Sequence, residues 1–499
     1  MLRLLSPLAL CLILLPALAG AAGPEPHPLD AAKVEEMKAF VSDAMGKLGV
    51  PGVGLAFVDH GKILFEGGLG VRRVGNPEAV DAHTRFMIGS NSKGLTTLML
   101  ARLVDQGKLD WNEPVIKAYP EFRLGDAEAT GKERVRDLVC ACSGLPRKDM
   151  IWIFGTRPDT KPGAIFDQLA SSKPIKGVGE TFQYSNLLAA AGGYVGGMAA
   201  YPGKDLGTAY DQAMQSLIFT PLGMNDTTFD MARAQTGDFA GPHGTDLDGV
   251  PRLGTLAPDR VITPYRPAGG AWSSAHDMIR YVSLELSEGV LPNGERLVSV
   301  KNLLERRVPS VAMSDTVSYG LGLVTDRSAG FTLIRHGGGI AGYRSDIMIL
   351  PEAGIGAVIL TNGGDGQALL RPFMHRLEEL IFDSEPKAVG EIQASAEKIK
   401  EMKAKSRETL TVPAAADLAA KLKASYTNDE LGRLGVRREG GKLFFDFPLY
   451  SSEMASHVTD QGAIVFTTID PTVAGLDFTL TDAGLTLKEF EGDYTYLYR

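Results

Sequence analysis

The sequence predicts an α+β fold: an antiparallel sheet with flanking helices and a largely helical insertion, joined to a small all-β C-terminal domain. Three observations carry this. Apolar, β-branched runs stand at both ends of a long first segment, over 53–58 and 63–66 near its start and 331–334 and 355–360 near its close. Between them the periodicity is helical, as over 187–198 and 278–286, so one sheet must be assembled from segments far apart in the chain. Beyond Pro413 the pattern changes again, to short strands separated by glycine-containing turns at Gly440-Gly441 and Ala483-Gly484.

Residues 1–22 have the form of a secretory signal peptide: Arg3, an apolar run from Leu8 to Leu18 broken by Pro16, and small residues at Ala17, Ala19, Ala21 and Ala22. Cys11 lies too early and follows Leu10, so no stable membrane anchor is expected and the mature chain should be secreted or periplasmic. Residues 30–385 are the sheet-bearing domain. Residues 386–412 form a linker rich in Glu, Lys and Ala, read as a solvated helix ending before Pro413. Residues 413–499 carry strands over 443–447, 463–466, 477–480 and 485–488, enough for a small barrel or sandwich.

Composition excludes several classes of function. A net charge of −9 argues against a nucleic-acid partner, which needs a concentrated basic surface. The eight histidines are scattered without an H-E-x-x-H or H-x-H cluster, so no metal and no cofactor is expected. Only Cys140 and Cys142 remain after leader removal; the reading favours two small, semi-buried thiols near the rim of the site, with a local bridge as the alternative. No G-x-S-x-G string is present for an α/β-hydrolase nucleophile.

Three short strings carry the chemistry: Ser90-Asn91-Ser92-Lys93, Tyr184-Ser185-Asn186 and His336-Gly337-Gly338. In the first, a serine and a lysine three residues apart share a helix face, so the amine reaches the hydroxyl. Serine alone is a poor nucleophile. It needs a neighbour to take its proton, and lysine does so only when burial or a nearby cation depresses its pKa. The same forms recur at Ser395-Ala396-Glu397-Lys398 and Tyr426-Thr427-Asn428, but no H-x-G string follows and the surroundings are charged, so these are read as accidents. Ser90 instead lies where a strand ending near Ile88 turns into an apolar helix through Leu98, Leu100 and Leu103.

The order and flanks of the three strings resemble the serine β-lactamase and penicillin-binding protein superfamily, in its class C β-lactamase, DD-peptidase and esterase branch. Gly107-Lys108-Leu109-Asp110, Ser143-Gly144-Leu145-Pro146, Pro221-Leu222-Gly223-Met224, Pro267-Ala268-Gly269-Gly270 and Tyr319-Gly320-Leu321-Gly322 extend the likeness over most of the chain. The resemblance implies that Ser90 becomes acylated, with Lys93 and Tyr184 as the proton-handling pair. It implies that Asn186 orients Lys93 and holds a substrate amide. It further implies that the backbone N–H groups of Ser90 and Gly339 stabilise the oxyanion, with His336 and Gly338 lining the substrate strand. Arg335 and Arg344 are candidates for a substrate carboxylate or for surface ion pairs.

One departure bears on substrate. Class C β-lactamases carry K-T-G at the third string, whereas His336 here offers a weaker, pH-dependent charge. The resemblance therefore implies an exported serine hydrolase acting through an acyl-enzyme on D-residue-containing peptides or small esters. A class C-type β-lactamase and an inactive peptidoglycan-binding protein are the alternatives.

Overall fold

The computed structural model describes residues 25–491 and 494–499; the expected leader, 1–22, lies outside them. The first sheet has eight antiparallel strands in the spatial order Lys62–Gly70, Gly52–Asp59, Ile355–Thr361, Tyr343–Leu350, Leu333–Ile340, Val324–Asp326, Val317–Tyr319 and Val311–Ala312. The two ends of this domain meet at the sheet's second and third strands, where Val53 faces Thr361 and Phe57 faces Ala357. Successive side chains on a strand point to opposite faces, and this sheet buries both. On Gly52–Asp59, Val53, Leu55 and Phe57 join one core, and Ala56 and Val58 join the other. The strand over 343–350 follows a tight turn at Gly342, which has φ 73°; the sequence reading named its neighbours and missed it, because continuous burial leaves no alternation to read.

One face is covered by the helices Ala31–Leu48 and Gln367–Phe382. The first starts on Asp30, whose carboxylate accepts from the Lys33 N–H at 2.9 Å, and stops at Gly49 with φ 69°. The other face carries Ala275–Leu286 and, deeper in the helical insertion, Asn91–Asp105 and Asn186–Ala200. These last two helices deliver the first two strings to one place.

The linker helix spans Ala388–Thr409 and is solvated on one side only. Ala388 and Ile392 are buried in the core beneath the first sheet, and Glu391 Oε2 lies 2.7 Å from His375 Nδ1. The C-terminal domain then runs as a strictly sequential eight-stranded meander from Ser425–Asn428 to Thr495–Tyr498. Thr427 and Arg499 exchange both backbone hydrogen bonds at 2.9 Å, which closes the meander into a barrel and removes its free edges. Tyr426 is buried in the first barrel strand, a packing role that accounts for the second Y-x-N string. Among the described residues no helix is long and apolar enough to cross a membrane.

Candidate active site

Ser90 stands at the junction between Phe86–Met87 and the helix Asn91–Asp105. Gly89 makes the turn at φ 50°, and a Cβ there would meet the Gly339 nitrogen at 2.6 Å. Only glycine lets the strand carrying 336–340 lie against the nucleophile turn. A serine at this helix position usually accepts a bond from the first N–H groups of the helix. Ser90 does not; its backbone is already helical at φ −65°, ψ −7°, and its hydroxyl faces Lys93, whose Nζ is 3.1 Å away.

Lys93 is buried, and Nζ also meets Asn186 Oδ1 and the Ala268 carbonyl, each at 2.7 Å. Burial pulls its pKa well below the usual lysine range, opposed by the Asp149 charge and helped by that of Arg147. A neutral amine has two N–H bonds and one lone pair. With two carbonyl-type oxygens taking the N–H bonds, the lone pair is left directed at the Ser90 hydroxyl.

Tyr184 completes this cluster, with Lys93 Nζ 4.6 Å from its ring centroid. Burial pushes its phenol well above the usual range, against the opposing influence of the Ser90 hydroxyl and the Arg147 charge. Lys93 and Arg147 face the ring of Tyr184, but burial outweighs the Arg147 charge and holds the phenol protonated. His336 sits behind it at 5% exposure, with Nε2 3.1 Å from Tyr319 Oη and Nδ1 2.7 Å from the Gly337 carbonyl. A carbonyl only accepts, so Nδ1 carries the proton and Nε2 accepts from Tyr319. Burial first, and the Lys93 charge second, drop the His336 pKa to about 3. The pH-dependent charge expected at this position from the sequence is therefore absent at neutral pH.

The strand Leu333–Ile340 pairs with Tyr343–Leu350 on one side, but on the other only Leu333, Ile334 and Arg335 pair with Val324–Asp326. Among the described residues that second edge carries no strand partner from His336 onward. Gly338 is buried, and a Cβ on it would meet the Ile88 carbonyl at 2.0 Å, so it serves close packing and does not face a ligand. Gly339 is exposed beside Ser90, as the oxyanion reading requires. Arg335 pairs with buried Asp346 at 2.8 Å, and Arg344 donates to the Ile340 and Tyr343 carbonyls. Both arginines are thus engaged within the protein.

Cys140 and Cys142 are joined in a disulfide, where free thiols were the favoured expectation. Ala141 between them takes φ 52°, which folds the tripeptide back and brings the Cα atoms to 5.1 Å. Its carbonyl accepts from the Gln183 N–H at 2.8 Å, bracing the segment that bears Tyr184.

Residues 37–378 match the family model described as Beta-lactamase. The chain belongs to this family. Penicillin-binding protein 4 of Amycolatopsis lactamdurans is 28% identical over 336 residues, which is 63% of this chain and 81% of the relative. The unguisins hydrolase of Aspergillus campestris is 26% identical, over 67% of this chain and 62% of its own length. Among solved structures, the octameric penicillin-binding protein homologue from Pyrococcus abyssi covers 93% of this chain and 99% of its own, at 20% identity and a TM-score of 0.57. A β-lactamase/D-alanine carboxypeptidase from Pseudomonas syringae covers 71% of this chain and all of its own, at 18% identity and the same TM-score. At these identities the structures establish the shared fold.

Arg147 and Asp149 also belong to the site and had no place in the sequence analysis, and Tyr319, named there only for the family likeness, joins them. Asp149 Oδ1 lies 3.0 Å from Asn186 Nδ2, a contact across 37 residues with no spacing rule to reveal it.

Proposed function

We propose that this member of the family is an exported serine hydrolase that forms an acyl-enzyme on peptides containing D-residues or on small esters. The observation that carries the reading is Lys93 Nζ, buried, depressed in pKa and 3.1 Å from a Ser90 hydroxyl left uncommitted by its helix. In the reaction, the Lys93 lone pair takes the Ser90 proton as Oγ attacks a carbonyl carbon lying along the free 336–340 edge. The N–H groups of Ser90 and Gly339 face the developing oxyanion; losing one such donor typically costs about 10²–10³ in rate. Tyr184, kept protonated by burial, is placed to pass a proton to the leaving group; the proton on Lys93 then returns to the phenolate, and the neutral Lys93 amine activates water for deacylation.

Two features support a peptide or ester over a β-lactam. His336 is uncharged and buried, so no fixed cation stands at the third string to hold a β-lactam carboxylate. The second is the name of one relative, a hydrolase of unguisins and not of β-lactams. Export rests on the form of residues 1–22.

The test is intact-mass spectrometry after exposure to a fluorophosphonate and, separately, to a fluorescent penicillin, followed by kcat/KM on a nitrophenyl ester, a D-alanyl peptide amide and a chromogenic cephalosporin. One phosphonyl group on Ser90, with ester or D-peptide turnover exceeding that of the cephalosporin, is the expected result. A cephalosporin kcat/KM near about 10⁸ M⁻¹s⁻¹ with the others negligible would reverse the assignment in favour of a β-lactamase. No adduct at all would favour a binding protein.

A further inference from the structure

Lys93 works as a base only if Asn186 presents its oxygen to it. An asparagine amide has an accepting end and a donating end of nearly equal shape, and the wrong end would set Nδ2 against the amine. What holds the orientation is Asp149. Its carboxylate only accepts, and Oδ1 takes the Asn186 Nδ2–H at 3.0 Å, which turns Asn186 Oδ1 toward Lys93 Nζ at 2.7 Å. Asp149 is itself held on both oxygens: Trp152 Nε1 donates to Oδ1 at 2.8 Å and Arg147 Nε to Oδ2 at 2.6 Å. Its exposure is 4%, so water does not compete.

The rest of the support comes from the C-terminal barrel. Asp149 is the first residue of the helix Asp149–Gly155, and that helix is packed into the barrel's core. Phe154 lies 4.7 Å from Phe447 and 5.9 Å from Phe478, centroid to centroid. Buried Glu489 of the barrel accepts the Met150 N–H at 3.2 Å, and Glu491 pairs with Arg147. A chain of polar contacts therefore runs from the barrel through Arg147, Asp149 and Asn186 to Lys93 and Ser90.

We propose that Asp149 is a positioning residue that fixes the amide of Asn186 and through it the amine of Lys93, and that the C-terminal barrel holds the helix that carries it. The proposal rests on the serine-hydrolase reading above. Asp149 touches neither the nucleophile nor a reacting atom; its positioning effect passes through Asn186, distinct from the direct influence of its charge on Lys93.

The experiment measures, in the full chain, the rate of Ser90 labelling by a fluorophosphonate and the kinetics of nitrophenyl-ester turnover. Asp149→Ala should lower the labelling rate and kcat by about 10- to 100-fold, the usual cost of losing a supporting hydrogen bond behind a catalytic ligand, with KM within about twofold. Asp149→Ser, polar but too short to reach Asn186, should give the same loss and serves if the alanine variant does not fold. Asp149→Asn keeps an accepting oxygen for Asn186 and should recover the rate to within a few-fold of the unsubstituted protein. In an Asn186→Ala background, Asp149→Ala should change the rate by less than about twofold. Labelling within about twofold of normal in the Ala and Ser variants, or losses that multiply in the double variant, would overturn the proposal. An unlabelled Ser90 in the unsubstituted protein would instead overturn the hydrolase reading, and this inference with it.

Discussion

The two eight-stranded sheets of this protein have the same strand count and differ in one long-range pairing. In the first, neighbours such as Gly52–Asp59 and Ile355–Thr361 come from opposite ends of the domain; in the barrel every strand pairs with the next in sequence. A single long-range pairing therefore joins the first two strands of the first sheet to the other six, and the chain between these two groups holds the helical insertion that brings Ser90 and Asn186 to Gly339. The barrel buries its own core and closes on itself through Thr427 and Arg499. It reaches the site by gripping one short helix of the other domain and by the pair between Glu491 and Arg147. Reactive groups gather where distant segments converge, and a local meander contributes by holding such a segment in place.

The strongest test of this contrast is at the convergence point. Ser90→Ala should abolish labelling and lower turnover by up to about 10⁶, with an unchanged melting temperature; label appearing on Ser395 would break the assignment. Tyr184→Phe keeps the ring beneath Lys93 and removes the phenol, so turnover should fall by about 10²–10⁴. If a loss of thermal stability accounts for that fall, Tyr184 is a packing residue and the proton-donor role fails.

Two barrel-core substitutions sharpen the comparison. Phe154→Ala and Phe466→Ala each empty a fully buried aromatic site and should each cost about 3–5 kcal/mol in denaturant unfolding. Only Phe154 belongs to the helix bearing Asp149, so only Phe154→Ala should also lower kcat in protein that remains folded, by about tenfold. Equal kcat in the two variants would show the barrel to be a bystander.

The smallest expected effect concerns His336. Its pKa falls from an ordinary 6.5 unfolded to about 3 folded, so between those values the unfolded chain binds a proton that the folded protein refuses. Stability should therefore fall as pH drops from 6.5 toward 3, by an amount on the order of 4 kcal/mol at the acid end. His336→Asn removes this contribution. The difference in unfolding free energy between the two proteins should narrow by about 3 kcal/mol from pH 7 to pH 4, and a constant difference would show that His336 is not held neutral by burial.

Much of the catalytic machinery could be read in advance because it is locally encoded. Ser90 and Lys93 are one helical turn apart, so spacing alone juxtaposes them; the strands over 53–58 and 355–360 and the helix behind Asn186 were legible from periodicity. The strand over 343–350 was not, nor were the barrel strands over 425–428, 432–439, 451–458 and 495–498. In several of these polar and glycine residues interrupt the alternation, and their pairing is set by neighbours on either side.

From the residues alone followed the candidate nucleophile, its lysine, the family likeness and the mixed architecture, since each depends on separations of a few residues or on the character of a single segment. Only the tertiary structure decided the electrostatics and the supports: that His336 is sealed from water and neutral, that Gly338 packs while Gly339 is open, that Cys140 and Cys142 are bridged, and that Asp149 turns Asn186 toward Lys93 from a helix seated in the barrel. The physical reason is that burial and hydrogen-bond partnership are properties of what surrounds a group. For these residues the surroundings come from segments tens to hundreds of positions away.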